Sequence, residues 1–351
     1  MSSGPLITRR QAVQGAGALT IAFALPLGAG TAPAQGRLPG SLGGNPQLDA
    51  WLRIGADGKV TVFTGKIELG QGIATALSQI AADELDVDIG RLRMVTADTE
   101  LTPNEGYTFG SLSIQQSGTA IRFAAAEARA ILLELAAARL AVKRDRLSVG
   151  DGVVSSGQES VTYWELIGNK TLHRQASGKI SPKRPGERRY AGKPMPRRDI
   201  PPKVFGEESF LQDIKLPGML HGRVVHPPDP GAKLLSLDEK AVQDMPGVVA
   251  VVRDGRFLGV IAKREYQAVE AARALTKAAK WKPGPALPAS DRIADYVLSQ
   301  KAETSIIKDA PAPEIAAAAS HAARYTRAFQ AHASIGPSAA IARFEGDRLT
   351  L

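Results

Sequence analysis

Residues 65–85 read "GKIELGQGIATALSQIAADEL", with two glycines around one glutamine where an extended run gives way to a helical one. Ahead of them, "KVTVFT" at 59–64 sets Val60 and Val62 on one face and Phe63 on the other, the alternation of a strand. After them, Ile73, Leu77, Ile80, Ala81 and Leu85 recur at helical spacing. Gly70 and Gly72 therefore stand at a helix start, where unpaired N–H groups and the positive end of the dipole favour an anion. Without side chains there, a ligand can approach the backbone. The chemistry this favours is the holding of a phosphate-bearing cofactor. Two other readings fit the same residues. The glycines can simply shape a strand-to-helix turn, or "GQGIAT" can be an approximate dinucleotide fingerprint, with Asp98 after a second strand-like run, Leu92 to Ala97. Thr75 in the third glycine position, and the stretch "GKIEL" between strand end and Gly70, count against the dinucleotide fold.

The elements that would position such a loop follow from pattern. Asp57-Gly58 is a turn joining a partner strand, Trp51 to Ile54. A second glycine-bearing loop, "TPNEGYTFGSLSIQQSGTAIRF", runs into a long helix with Ile121, Ala125, Ala128, Leu132 and Leu135 as its apolar stripe. "LSVGDGVVSS" reads as a hairpin, and Thr162 with Glu165 as a capping box opening a short helix. A basic, Pro-rich connector follows, and from about Val204 a second unit carries the strands "VVAVV" and "FLGVIA" and the helix "REYQAVEAARALTKAA". Mixed strands and helices of this kind indicate an α+β fold. Beyond "WKPGPALP", Ala323 to Ala331 and Ala339 to Leu351 read as strands, the latter a hairpin about Glu345-Gly346-Asp347. A finish inside the returning strand is expected of an architecture cut or split at this point.

Composition narrows the cofactor. The chain has 351 residues, 44% of them hydrophobic, and no charged low-complexity tract, as expected of a globular protein with about two domains. It has no cysteine, so it forms no disulfide, thiolate zinc site or iron–sulfur cluster of its own. Any metal must then be held by a cofactor's own ligands, and any electron-transfer centre by another chain. The net charge of +9 is concentrated in 179–203, where nine Lys or Arg face only Glu187 and Asp199. With Tyr190 its single aromatic residue, this reads as a solvated linker or a partner-docking strip, not as a nucleic-acid site. Residues 1–34 carry Arg9-Arg10, an apolar run from Ala16 to Leu27 too short to span a membrane, and Ala32-Pro33-Ala34 as a small-residue cleavage site. These are the marks of a twin-arginine export signal lying outside the fold, an export route that carries proteins already folded around a cofactor.

Four stretches, "TGKIELGQGIATALSQIAADEL", "TFGSLSIQQSGTA", "PRRDIPPKVFGEESFLQDIKLPGMLHGRVVHPP" and "FQAHASIGPSAAIARFEG", together resemble the molybdopterin-binding large subunits of the xanthine dehydrogenase and aldehyde oxidoreductase family. The branch they resemble is that of exported isoquinoline 1-oxidoreductase beta-type and nicotinate-dehydrogenase-like subunits. The resemblance implies a molybdopterin-binding segment at 35–169, the connector at 170–203, an α/β hammerhead-like domain at 204–285, and at 286–351 a linker with the start of the remaining cofactor domain. It implies that Gly70, Gln71 and Gly72 line the pterin of a molybdenum–molybdopterin cofactor in its cytosine dinucleotide form. Gly110, Ser111 and Ser113 would clamp the phosphates, with plain N-capping as the other reading of the two serines. The implied reaction is oxidative hydroxylation of a small-molecule N-heterocycle or aldehyde with water as oxygen source. Electrons would pass to an iron–sulfur small subunit.

The family's base is a Glu in a "GxGEP"-like motif that this chain lacks, and Glu68 and Glu105 match no family base, so no catalytic residue is assigned. That residue is expected in the remaining C-terminal half of the large subunit. His332 lies in "FQAHASIGP", where many relatives have Glu-Pro shortly after the matching His and this chain has Gly336-Pro337. It reads as structural, and His221 and His226 lack metal-ligand spacing. The rival reading is a non-catalytic exported remnant or binding module of the same fold. For the export signal, Arg9→Lys combined with Arg10→Lys is expected to abolish periplasmic delivery of a fused reporter, and the wild-type leader to be processed near Ala34. Full export of the double variant would refute the assignment.

Overall fold

A computed structural model describes residues 38–168, 174–307, 319, 321–331 and 333–351, together with the backbone of Ala18–Thr20. Two compact units divide between Ser209 and Phe210, slightly later in the chain than the boundary expected from sequence. The whole is α+β.

The first unit is built on a four-stranded sheet in the order β1 (Ala18–Thr20), β2 (Leu52–Gly55), β3 (Val60–Thr64), β4 (Leu92–Thr96). β2 and β3 pair antiparallel with Leu52 opposite Val62 and Ile54 opposite Val60, so all four apolar side chains are buried. β3 and β4 pair parallel, Val60 opposite Leu92 and Thr64 opposite Thr96. A parallel pair needs a crossover, supplied here by α1 (Ile73–Leu85). Its consequence is positional: the loop that leaves β3 and the loop that leaves β4 start from the same end of adjacent strands. The second of these loops leads into α2 (Thr119–Leu140), which lays Ile121, Ala124, Ala125, Ala128 and Leu132 into the core with Leu77, Ala81 and Leu85 of α1. A meander of β5 (Ser148–Gly150), β6 (Val153–Ser156) and β7 (Glu159–Thr162) follows, then α3 (Tyr163–Ile167). The expected capping box opens α3, with Glu165 N–H donating to Thr162 Oγ1 at 3.1 Å and Thr162 N–H to the Glu165 carboxylate at 2.7 Å.

Three expectations need correction. The leader is expected from sequence to lie wholly outside the fold, yet Ala18–Thr20 pairs antiparallel with β2, Ala18 opposite Gly55 and Thr20 opposite Arg53. The outer edge of β2 otherwise offers unpaired N–H and C=O groups, which favour any extended segment within reach. The twin arginines and Ala32-Pro33-Ala34 lie outside the described residues. Ala323 to Ala331 forms no strand: Tyr325 and Phe329 are exposed and, among the described residues, no strand pairs with the segment, so β-propensity alone does not order it. The hairpin about Gly346 does form, between β13 (Arg343–Glu345) and β14 (Arg348–Thr350).

The third correction concerns the connector, which is a strap bound along α1 and not a solvated linker. Asp83, only 3% exposed, accepts backbone N–H groups from Arg189 (2.7 Å), Tyr190 (2.8 Å) and Ala191 (2.8 Å). Glu84 takes Lys183 N–H at 2.9 Å and Arg122 of α2 at 3.0 Å, while Lys183 Nζ also pairs with Asp86. Farther along, Gln79 Nε2 donates to Tyr190 O (2.8 Å) and Lys193 O (3.1 Å), and Arg198 N–H donates to Thr75 Oγ1 at 3.0 Å. The strap thus runs antiparallel to α1, from its C-terminal end back to its start.

The second unit contains a three-stranded antiparallel sheet in the order β10 (Val248–Asp254), β11 (Phe257–Ala262), β8 (His221–Val224), and an antiparallel pair of β12 (Ala279–Lys282) with β9 (Lys233–Leu237). α4 (Glu265–Ala278) covers the first sheet, its Ala271 and Leu275 packing with Leu258, Val260 and Val242.

Removing a buried carboxylate that satisfies three backbone donors leaves those donors stranded. Asp83→Ala is therefore expected to cost about 3–5 kcal/mol in urea unfolding, against less than about 0.5 kcal/mol for the exposed Glu159→Ala. Trypsin cleavage within 184–193 is expected to accelerate in Asp83→Ala.

Candidate functional site

At the end of β3, Gly65 passes so close to the neighbouring loop that a Cβ on it would stand 2.3 Å from Pro103 O. The approach is stitched by side chains. Glu105 Oε2 accepts Gly65 N–H and Thr64 Oγ1–H, each at 2.8 Å, and Thr64 Oγ1 lies 2.7 Å from Ser117 Oγ, two residues before α2. Lys66, 1% exposed, turns its ammonium inward to Glu105 O (2.7 Å) and Tyr107 O (3.1 Å). Ile67 N–H donates to Thr108 Oγ1 at 3.0 Å. The stretch 65–72 after β3 and the stretch 103–108 after β4 are thereby one hydrogen-bonded surface, continuous in chain with Gly110 to Ser113.

Gly70 and Gly72 have φ of 98° and 81°, values that Cβ-bearing residues avoid, so these positions require glycine for their shape. Gly72 caps α1, as expected, but the anion seat there is already taken. The Glu68 carboxylate accepts N–H from Gly70 (2.8 Å), Gly72 (2.9 Å) and Ala74 (3.0 Å). The expectation of an anion-binding helix start at this loop is corrected: the chain supplies its own anion, and the dipole is already engaged with it. Gln71 is exposed, and its amide folds back on its own loop, Oε1 accepting Leu69 N–H at 2.5 Å and Nε2 donating to Ile67 O at 2.9 Å. One Nε2 hydrogen and one Oε1 lone pair remain to face outward.

The second loop differs. Gly110 and Ser111 both adopt positive φ, 65° and 59°, and the chain then enters a single π turn, Ser113–Gly118, before α2. Consecutive left-handed residues and a π turn are both features that concentrate at functional sites. Leu112 is the cap residue and no side chain caps the turn, so N-capping does not account for the two serines. Among the described residues neither Ser111 Oγ nor Ser113 Oγ has a hydrogen-bond partner. Around the paired loops, Leu69 (66%), Tyr107 (87%) and Phe109 (66%) are exposed together with Ile67 and Ile114. An apolar rim of this kind around a polar backbone surface marks a binding face.

Arg197, which pattern reading passes over as one charge in a basic run, arrives on the strap. Its Nη1 donates to Gly70 O at 2.5 Å, its Nε and Nη2 fork onto Asp199 at 3.0 and 2.6 Å, and Nη2 lies 3.6 Å from Glu68. Hydrogen bonds from Arg197 and then Lys203 hold the Asp199 carboxyl well below the usual carboxylate range, and Asp199 in turn raises Arg197. The only sequence clue is "PRRD", in which an Asp two residues after an Arg can hold it in a fork. His221 begins β8 and His226 is exposed, both in the second unit, while His332 lies outside the described residues. Among the described residues no three His, Asp or Glu side chains gather so as to hold a metal ion.

The chain is 37% identical over 316 residues to a subunit of the nicotinate dehydrogenase of Pseudomonas putida, covering 86% of this chain and 26% of that protein. It is 31% identical to the beta chain of the isoquinoline 1-oxidoreductase of Brevundimonas diminuta, covering 68% of this chain and 35% of the relative. It is 30% identical to the membrane-bound aldehyde dehydrogenase (pyrroloquinoline-quinone) of Gluconacetobacter polyoxogenes, covering 74% and 35%. The chain thus spans between a quarter and about a third of the length of these relatives. Residues 8–195, more than half of the chain and including both loops and most of the strap, match the molybdopterin cofactor-binding domain. The chain belongs to the molybdopterin cofactor-binding domain family, in agreement with the resemblance carried by its glycine and serine motifs.

Proposed function

We propose that this chain supplies pterin- and phosphate-facing loops to a molybdenum hydroxylase large subunit that oxidises an N-heterocycle or an aldehyde, with water as the oxygen source. The observation that carries the reading is that the roots of the two glycine-bearing loops, residues 65–67 and 105–108, are hydrogen-bonded to each other at one end of the parallel β3–β4 pair, in a chain of this family. Ligands of open α/β sheets gather at the carboxyl ends of such strands. Two of the relatives are named for N-heterocyclic compounds and one for aldehydes, which supports the substrate class.

The residues fit the cofactor unevenly, and the unevenness assigns roles. At the first loop no atom lies within 4 Å of the position a Cβ on Gly70 would take, while Glu68 fills the anion seat. That combination suits a flat, hydrogen-bonding pterin edge and repels a phosphate. Gly70 and Gly72 let it approach the backbone, and Gln71 offers its remaining amide hydrogen and lone pair. At the second loop, Gly110, Ser111 and Ser113 present hydroxyls and backbone at a helix start with no carboxylate in place, which suits the phosphates of a cytosine dinucleotide form. When bound, the cofactor supplies a redox-active metal held by its own dithiolene sulfurs. The chain's own residues orient it, exclude water with the rim about Tyr107 and Phe109, and leave proton abstraction to a Glu in the remaining C-terminal half of the large subunit. In this reading the product electrons leave through an iron–sulfur small subunit, and the protein is exported folded by the twin-arginine route to the periplasm. In the same reading residues 204–285 take the place of a hammerhead-like domain, and 286–351 that of a linker with the start of the remaining cofactor domain.

A large anionic cofactor held by part of its shell keeps desolvated charges without partners, which is costly. The chain alone is therefore expected to retain little molybdenum and to show no turnover. Co-expression with the polypeptide that continues the large subunit and with an iron–sulfur subunit is expected to give stoichiometric metal and oxidation of nicotinate, isoquinoline or an aldehyde. In that assembly, Ser111→Ala with Ser113→Ala is expected to lower molybdenum content. Full metal loading and turnover by the chain alone would refute the division of labour.

A further inference from the structure

Arg197 touches the glycine loop from 127 residues farther along the chain. Its contacts are of three kinds: a hydrogen bond to Gly70 O at 2.5 Å, a nearby opposite charge on Glu68 at 3.6 Å, and side-chain atoms 3.6–3.9 Å from where a Cβ on Gly72 would stand. Glu68 itself holds the N–H groups of Gly70 and Gly72, so Arg197 and Glu68 grip the same turn from its carbonyl and its amide sides. The guanidinium is held in place by the Asp199 fork, and Asp199 is braced by Lys203 at 2.8 Å.

We propose that Arg197 is the positioning residue of the Gly70–Gly72 loop: through Asp199 it is fixed on the strap, and it holds the loop's left-handed turns in the cofactor-ready shape before any cofactor arrives. The need for it is physical. A loop with two positive-φ glycines has more backbone freedom to lose than any other, and the contacts of Gln71 and Glu68 restrain residues 67–74 against each other and against the start of α1. Ile67 is tied to Thr108 at one end of the loop, and Arg197 adds the tie at Gly70 itself, from the strap. Arg197 also offsets Glu68, whose side chain is only 13% exposed and whose other partners among the described residues are backbone N–H groups. A lysine cannot replace it, because one ammonium cannot fork onto Asp199 and reach Gly70 O together in the same planar geometry. The role toward the cofactor rests on the function proposed above, whereas the role toward the loop does not.

The test is amide hydrogen exchange on the 351-residue chain, reading residues 67–74 in wild type, Arg197→Gln and Arg197→Lys, with the α2 amides of 121–136 as internal reference. Both variants are expected to speed exchange in 67–74 by about tenfold or more and to leave α2 unchanged, since local opening and global unfolding report separately. Unchanged exchange in 67–74, or equal acceleration in α2, overturns the proposal. The second arm measures molybdenum by mass spectrometry in the assembled large subunit made in cofactor-producing cells. Faster loop exchange with a fall in molybdenum in Arg197→Gln supports the full proposal. Faster exchange with equal molybdenum in wild type and variant overturns the role toward the cofactor. Faster exchange with no molybdenum in the wild-type assembly overturns the proposed function and leaves the loop clamp standing.

Discussion

The first unit depends on how it neutralises two carboxylates buried at the C-terminal end of α1. Asp83 and Glu84 are withdrawn from water, and a buried carboxylate is tolerated only where donors replace its hydration. α2 supplies one donor in Arg122, but the others come from the strap: the backbone of Arg189, Tyr190 and Ala191 for Asp83, and that of Lys183 for Glu84. Meeting that demand fixes where the strap crosses α1, and the antiparallel course that follows carries Arg198 to Thr75 and Arg197 to Gly70. A desolvation problem at one end of the helix thus determines which cation stands at the other.

Charge neutralisation also separates the two loops. The first is electrically complete within the chain, since Glu68 answers the helix dipole, Arg197 answers Glu68 and Asp199 answers Arg197. Beneath it the ammonium of Lys66 is buried against two carbonyls, and Glu105 ties both loops to β3. The second loop is less closed: its serine hydroxyls meet nothing in the described chain, and its left-handed Gly110-Ser111 pair is spanned by a single long turn bond, from Leu112 N–H to Phe109 O at 3.4 Å.

Much of this was legible in the sequence, for a definable reason. β2, β3, β4, α1, α2, the β5–β6 hairpin and the α3 capping box are all specified by residues within a few positions of one another, and period and turn chemistry report such features. The elements that went unread depend on partners far away in the chain. Charge and proline content make 179–203 look solvated, because composition is blind to acceptors lying about a hundred residues earlier. Glu68 is set aside as a base without being recognised as a cap, since it reaches Ala74 from six residues back, beyond the three-residue reach of the usual capping signature. Ala323 to Ala331 shows the opposite failure, a strand-like pattern with no pairing strand among the described residues.

The strap also sets the order in which the first unit can be completed during synthesis. Its bonds to α1 and to the glycine loop span sequence separations of 97 to 127 residues, so the helix must wait for most of the domain to be made before its carboxylates are satisfied. Loop closure over such distances costs entropy before the contacts compensate for it, which makes folding slow and leaves a half-made domain with charged groups seeking donors. At ribosomal speeds of about 5–20 residues per second that interval lasts roughly 5 to 25 seconds. The local bonds of Glu68 and Gln71 can form early, whereas the bond from Arg197 to Gly70 O can be made only after residue 197 has emerged.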